Sequence, residues 1–149
     1  MLPRELSTLT FLQYFRLPFN GLRGPLPVWF FEYRQLGDVE LQYNQFTGPI
    51  PKIIYDKADF VKINLGVNML SGTISTRIGK LRSLRYISIW GNDLSGTIPT
   101  EFGLLHTLCK SHQKYWQIFL LNVKGMYTEA VEAFWHILAL LHLYICTLI

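Results

Sequence analysis

The sequence predicts an α/β-type solenoid, a chain wound into stacked 24-residue coils that each lay down one short strand, followed by a helical apolar C-terminal tail. Three observations predict it. Asn20, Asn44, Asn68 and Asn92 recur at a strict interval of 24 residues. The same apolar skeleton is rewritten around each of them. The pattern then stops after Leu108, where the composition changes. A fixed period between about 20 and 50 residues marks a solenoid, because each repeat is one small unit that buries its apolar face only against the next copy.

The chain opens in the middle of a repeat, since Leu2, Pro3, Leu6 and Leu9 align with Ile98, Pro99, Phe102 and Leu105. That phase reads as a piece of a longer array, or else as a first coil that tolerates exposure of its apolar edge. Each following coil begins with an apolar residue eight before its asparagine: Leu12, Leu36, Phe60 and Leu84. The strand comes next. Phe15, Val39, Ile63 and Ile87 stand five before the asparagine and Leu17, Leu41, Leu65 and Ile89 three before it, with other residues between. Alternation of this kind is the period of a strand with one buried face.

At the turn out of the strand the backbone bends inward and leaves buried amide and carbonyl groups that need partners. An asparagine side chain supplies one donor group and one acceptor. Asn20, Asn44, Asn68 and Asn92 are therefore expected to form a structural ladder along the core. Behind them come Leu22, Phe46, Leu70 and Leu94, then Gly24, Gly48, Gly72 and Gly96. The glycine suits a backbone turned to positive φ. Leu26, Ile50, Ile74 and Ile98 follow, and then proline at Pro27, Pro51 and Pro99, with Ser75 the exception.

This unit resembles the leucine-rich repeat family in its plant-type class, whose repeat reads LxxLxxLxLxxNxLSGxIPxxLGxL. The resemblance spans residues 2–108 and implies a right-handed coil of parallel strands lining a concave face that binds protein or peptide ligands. Residues 1–108 are accordingly expected to form one repeat region, a partial first coil plus four units, and residues 109–149 a basic linker and apolar tail.

The strand alternation names the side chains that such a face would present. Tyr14, Asp38, Lys62 and Tyr86 stand six before the asparagine, and Arg16, Glu40, Asn64 and Ser88 four before it. Pro18, Gln42, Gly66 and Trp90 stand two before it, and Phe19, Tyr43, Val67 and Gly91 immediately before it. The partner-binding candidates are Tyr14, Arg16, Phe19, Glu40, Tyr43, Lys62, Tyr86 and Trp90, because amphipathic aromatics anchor protein interfaces. A plainer reading has the same aromatics packing on one another across neighbouring strands. The charges invite a plain reading too: Arg16 and Glu40 share one offset, as do Asp38 and Lys62, so opposite charges fall on adjacent strands and are expected to satisfy each other first.

Of the 149 residues half are hydrophobic and 16% charged, with a net charge of +4. The basic residues are scattered, whereas nucleic-acid binding calls for a focused patch, so no nucleic-acid partner is expected. Cys109 and Cys146 form no CxxC pair. No HExxH, phosphate-loop, GxSxG or kinase motif occurs, so neither catalysis nor a cofactor is expected.

The first residues lack the basic start and apolar stretch of a signal peptide, and no N-x-S/T sequon follows any asparagine. Where a fifth asparagine would stand there is Trp116. Residues 133–149 carry no formal charge, and as a helix would span about 25 Å against a hydrocarbon core of about 30 Å. Three readings of the tail stay open: a helix capping the last coil, a short membrane anchor, or sequence unrelated to the repeats. With them stands an alternative to the binding module, a structural or truncated repeat fragment related to receptor-like ectodomains, whose tail either anchors it to a membrane or caps it.

Overall fold

The computed structural model describes residues 4–9, 11–105 and 107–108. The expectations placed on 109–149, cap, anchor or unrelated sequence, fall outside the described residues. Within them the chain winds through four coils whose strands form two parallel sheets. The first contains β1 (Tyr14–Arg16), β3 (Asp38–Glu40), β5 (Lys62–Asn64) and β7 (Tyr86–Ser88), in that order, and lines the concave face. The second contains β2 (Arg23–Pro25), β4 (Gln45–Pro49), β6 (Met69–Thr73) and β8 (Asp93–Ser95). Single turns of 3-10 helix, Lys52–Asp56, Thr76–Lys80 and Thr100–Leu104, close three of the coils, and one α-helical turn, α1 (Val28–Phe31), closes the other. No helix among the described residues is long and apolar enough to cross a membrane.

The sequence reading allowed one strand per coil, and the structure has two. The second strand lies in the stretch after each asparagine, where glycine interrupts any polar and apolar alternation. Gly24, Gly48, Gly72 and Gly96 hold φ of 91°, 76°, 82° and 82° there, a region in which a Cβ would crowd the backbone. Register separates the sheets further. Tyr14 pairs with Asp38, Asp38 with Lys62 and Lys62 with Tyr86, in step with the repeat. In the second sheet Arg23 pairs with Gln45, Thr47 with Met69 and Ser71 with Asp93, so partners fall two residues short of the repeat. A slip of two preserves which face each side chain takes.

Between the sheets runs one continuous core. Phe15, Val39, Ile63 and Ile87 enter it from the first sheet and Phe46, Leu70 and Leu94 from behind the asparagines. The asparagines bridge coils. Asn44 Oδ1 accepts from the backbone N–H of Asn20 at 3.1 Å and of Leu22 at 2.9 Å, while its Nδ2 donates to Leu17 O at 2.8 Å and Leu41 O at 3.0 Å. Asn68 accepts from Phe46 at 3.0 Å and donates to Leu41 and Leu65; Asn92 accepts from Leu70 at 3.0 Å and donates to Leu65 and Ile89. Asn20 departs from this pattern. It is exposed, and its amide donates only locally, to Pro18 O at 2.7 Å, because no described coil lies ahead of it to bridge.

The wall opposite the first sheet is uneven in a way the repeat skeleton conceals. One offset reads Phe31, Tyr55, Gly79 and Gly103: two buried aromatics, then two glycines. Two residues on, the row reads Tyr33, Lys57, Leu81 and Leu105, so a lysine interrupts a line of buried residues. Lys57 Nζ donates to Tyr33 O and lies 5.1 Å from the Phe60 ring centroid. Burial lowers its pKa, with Asp59 opposing.

Tyr55 sets an alkaline limit to stability. Burial pushes its hydroxyl from 10.0 up to about 12, against a hydrogen bond with the Ser75 backbone. A group whose folded pKa exceeds its unfolded value contributes stability that is full below the unfolded pKa and vanishes as pH climbs through the folded one. Lys57, with a lowered folded pKa, acts in the opposite direction below 10.5. The loss is therefore read above that value. Urea midpoints are expected to fall between pH 10.5 and about 12, and to fall less steeply in Tyr55→Phe; equal slopes in the two proteins would refute the assignment.

Candidate functional site

The first sheet presents two bands of side chains to the concave side. One is ionic. Arg16 sits between two acids: its guanidinium pairs with Asp38, with Nε 3.3 Å from Oδ1, and Nε lies 3.2 Å from Glu40 Oε1. Lys62 Nζ reaches Glu40 Oε1 at 2.8 Å. Sequence offset placed Lys62 against Asp38, and the structure corrects this. Both donors from Arg16 already occupy the short, nearly buried Asp38 carboxylate, so the long Lys62 stem turns diagonally to the next acid. Asp38 and Ser88, read as outward positions, are covered, at 9% and 3% exposure.

Tyrosines flank this chain of charges. The Arg16 guanidinium lies 5.1 Å from the Tyr14 ring centroid, and Lys62 Nζ lies 5.3 Å from that of Tyr86, distances at which a ring face attracts a cation. The electrostatics follow the contacts. Burial alone would raise the Glu40 pKa, yet the Lys62 hydrogen bond and charge, the Gln42 hydrogen bond and the Arg16 charge together hold it below the usual value. Hydrogen bonding to Asp38, aided by the charges of Asp38 and Glu40, raises that of Arg16.

The other band is aromatic and lies where the strands turn into the asparagines. Phe19 and Tyr43 stack with centroids 4.4 Å apart and planes 11° from parallel. Tyr43 then meets Trp90 edge on, at 6.2 Å and 83°. Phe19, Tyr43 and Val67 hold φ of 58°, 58° and 52°, and Gly91 holds 65°. The tight turn imposes this left-handed backbone in every coil. For a residue with a Cβ it costs on the order of 1 kcal/mol, and most for the β-branched Val67. The turn that secures the ladder thereby projects the two rings outward, and Phe19 stays 70% and Tyr43 42% exposed.

All eight predicted contact residues thus lie on the first sheet or the turns that leave it. Tyr14, Arg16, Glu40, Lys62 and Tyr86 form the ionic band, and Phe19, Tyr43 and Trp90 the aromatic one. Sequence reasoning missed Gly66, whose lack of a side chain makes room for Trp90: a Cβ there would stand 2.9 Å from Trp90 Nε1 and 3.0 Å from its Cδ1. A glycine beside a large aromatic at one offset was the available signal. It also missed Gln42, whose Nε2 lies 3.4 Å from Glu40 Oε2 while its covered Oε1 has no hydrogen-bond partner among the described residues. No group of three or more His, Cys, Asp or Glu side chains gathers to hold a metal among those residues.

Residues 83–105 match the family model described as Leucine Rich Repeat, and the coils before them carry the same skeleton. The BIR3–SERK2 complex of Arabidopsis thaliana superposes with a TM-score of 0.65 at 35% identity, over 68% of this chain and 55% of that one. The chain belongs to the leucine-rich repeat family, in its plant-type class. Two further structures are similar to the chain. The plant peptide hormone receptor RGFR1 in complex with RGF2 gives 36% identity and a TM-score of 0.67, over 71% of this chain and 17% of that one. The ectodomain of the Arabidopsis receptor kinase HAESA, in complex with an IDA peptide hormone, gives 28% and 0.66, over 70% and 17%. This leucine-rich repeat chain spans about half the length of the first of these structures and less than a fifth of the other two. No curated protein sequence matches it.

Proposed function

We propose that this leucine-rich repeat chain is a non-catalytic recognition module whose concave sheet binds a protein or peptide, with Tyr14, Arg16, Phe19, Glu40, Tyr43, Lys62, Tyr86 and Trp90 as contacts. The observation that carries the reading is the aromatic band. Three large rings remain partly exposed side by side on one face, two of them, Phe19 and Tyr43, on a backbone held in a costly conformation, and rigid amphipathic rings are the side chains that dominate interface energetics. The peptide complexes of RGFR1 and HAESA support the same ligand class.

A second reading, that the array is structural, draws on the stacking of Phe19 on Tyr43, since rings that satisfy one another need no ligand. The two separate in one experiment. Peptides selected from a displayed random library on the folded chain are retested on the double variant Tyr86→Ala, Trp90→Ala. Binding should weaken about tenfold or more, the scale of losing interface anchors, while the far-UV circular dichroism stays unchanged. Undiminished binding by a folded double variant would sink the concave-face reading in favour of the structural one.

A further inference from the structure

The aromatic band has a spacing that selects among ligand conformations. Two before the asparagines the row reads Pro18, Gln42, Gly66 and Trp90, and the Trp90 ring lies over Gly66 of the preceding coil, within 3.0 Å of where its Cβ would be. Rings therefore occupy three successive coils: Phe19 in the first, Tyr43 in the second, Trp90 over the third. The separations of 4.4 and 6.2 Å bracket the strand spacing of about 4.8 Å. Phe19 and Trp90 consequently stand about two strand spacings apart, roughly 9.6 Å. One turn of polyproline II helix, three residues at about 3.1 Å, advances about 9.3 Å. A β-extended peptide repeats on one face about every 6.8 Å, which fits neither one spacing nor two.

Charge narrows the ligand further. Asp38 and Glu40 are matched by Arg16 and Lys62, each cation already within ion-pair distance of an acid. The face thus offers rings that need covering and charges that do not. We propose that Phe19, Tyr43 and Trp90 form a shelf for an uncharged polyproline II segment running along the solenoid axis, with Gly66 fixing the spacing by seating Trp90. Residues i and i+3 of the segment lie against Phe19 and Trp90, and those between them pass Tyr43. Proline-rich segments suit such a shelf because their conformation is formed before binding. This deepens the recognition function proposed above and rests on it.

Fluorescently labelled, capped octaproline titrated against the full chain tests the idea, beside Gly-Ser, octaglutamate and octalysine peptides of equal length. Octaproline should bind saturably, with affinity changing less than about twofold between about 0.05 and 0.5 M NaCl, since no charge pair forms with the ligand. Trp90→Ala and Gly66→Val should each weaken binding about tenfold, whereas Trp90→Phe and, on the second sheet, Arg23→Ala should retain it. Trp90→Phe keeps the test valid should Gly66→Val misfold.

Octaproline binding no tighter than the Gly-Ser peptide, a steep fall with salt, or full affinity in Trp90→Ala would overturn the shelf. Preference for octaglutamate or octalysine, lost in the Tyr86→Ala, Trp90→Ala variant, would overturn it while leaving the concave face as the binding surface.

Discussion

Asn68→Ala is expected to destabilise the chain by about 3 kcal/mol or more, and Asn20→Ala by less than about 1 kcal/mol, although the two occupy the same repeat position. Asn68 is 8% exposed, and its side chain satisfies the Phe46 amide and the Leu41 and Leu65 carbonyls across two coils. Truncation leaves the Phe46 amide buried without its acceptor, at about 1 to 3 kcal/mol, and takes one of two donors from each carbonyl, since Leu41 O keeps Asn44 Nδ2 and Leu65 O keeps Asn92 Nδ2, at about 1 kcal/mol apiece with incomplete additivity. Asn20 is exposed, and its amide reaches only Pro18 O, so water replaces what is lost. Against a usual domain stability of about 5 to 15 kcal/mol the first change is severe.

Asn68→Asp should be no milder than Asn68→Ala. It keeps the acceptor for Phe46 but turns a carboxylate toward two carbonyl oxygens. Urea unfolding followed by circular dichroism decides the matter, and equal losses for Asn20→Ala and Asn68→Ala would refute the cross-coil ladder as the source of stability.

The contrast between these asparagines marks where the sequence was legible. Apolar residues five and three before each asparagine could be read inward because strand alternation is a local rule, and Phe15, Val39, Leu41, Ile63, Leu65, Ile87 and Ile89 are all buried. The second sheet escaped because its strands carry glycine at the centre and pair two residues out of step with the repeat, so neither alternation nor the 24-residue spacing reveals it. On the concave face, offset identified which side chains share a surface but not how they pair. Lys62 turned to Glu40 because stem length and a competing guanidinium decided the contact. Trp90 was visible as an aromatic, while its seat depended on what Gly66 lacks. Aligning the copies to one skeleton also hid their differences, treating Phe31 and Gly79, or Lys57 and Leu81, as equivalent positions.

Those differences lead to the second large effect, a loss of about 3 to 5 kcal/mol on Phe31→Ala, the usual range for truncating a buried aromatic. Phe31 is 1% exposed, and its ring lies 3.9 Å from Phe30 and 6.2 Å from Phe60 by centroid, so removing it opens a cavity against two neighbours that are themselves fully buried. The glycine at the same offset two coils later gives no licence for a small residue here. At Gly79 the space is already filled, since a Cβ would stand 3.0 Å from Glu101 Cβ and 3.1 Å from Glu101 O and Leu104 Cδ1. The third coil closes tightly over its glycine, whereas a Cβ at Gly103 in the fourth would meet nothing within 4 Å, and the first coil is held apart by aromatics.

The first and third coils cannot exchange residues at this offset without either a void or a clash. Gly79→Ala is therefore expected to destabilise as well, by about 1 kcal/mol or more through overpacking, and Phe31→Leu should lose less than Phe31→Ala because it refills part of the volume. Thermal melts of the three variants give the ordering directly. A Phe31→Ala protein as stable as the parent would mean that the first coil relaxes onto the glycine geometry of the third, and that the aromatic wall is not what holds it open.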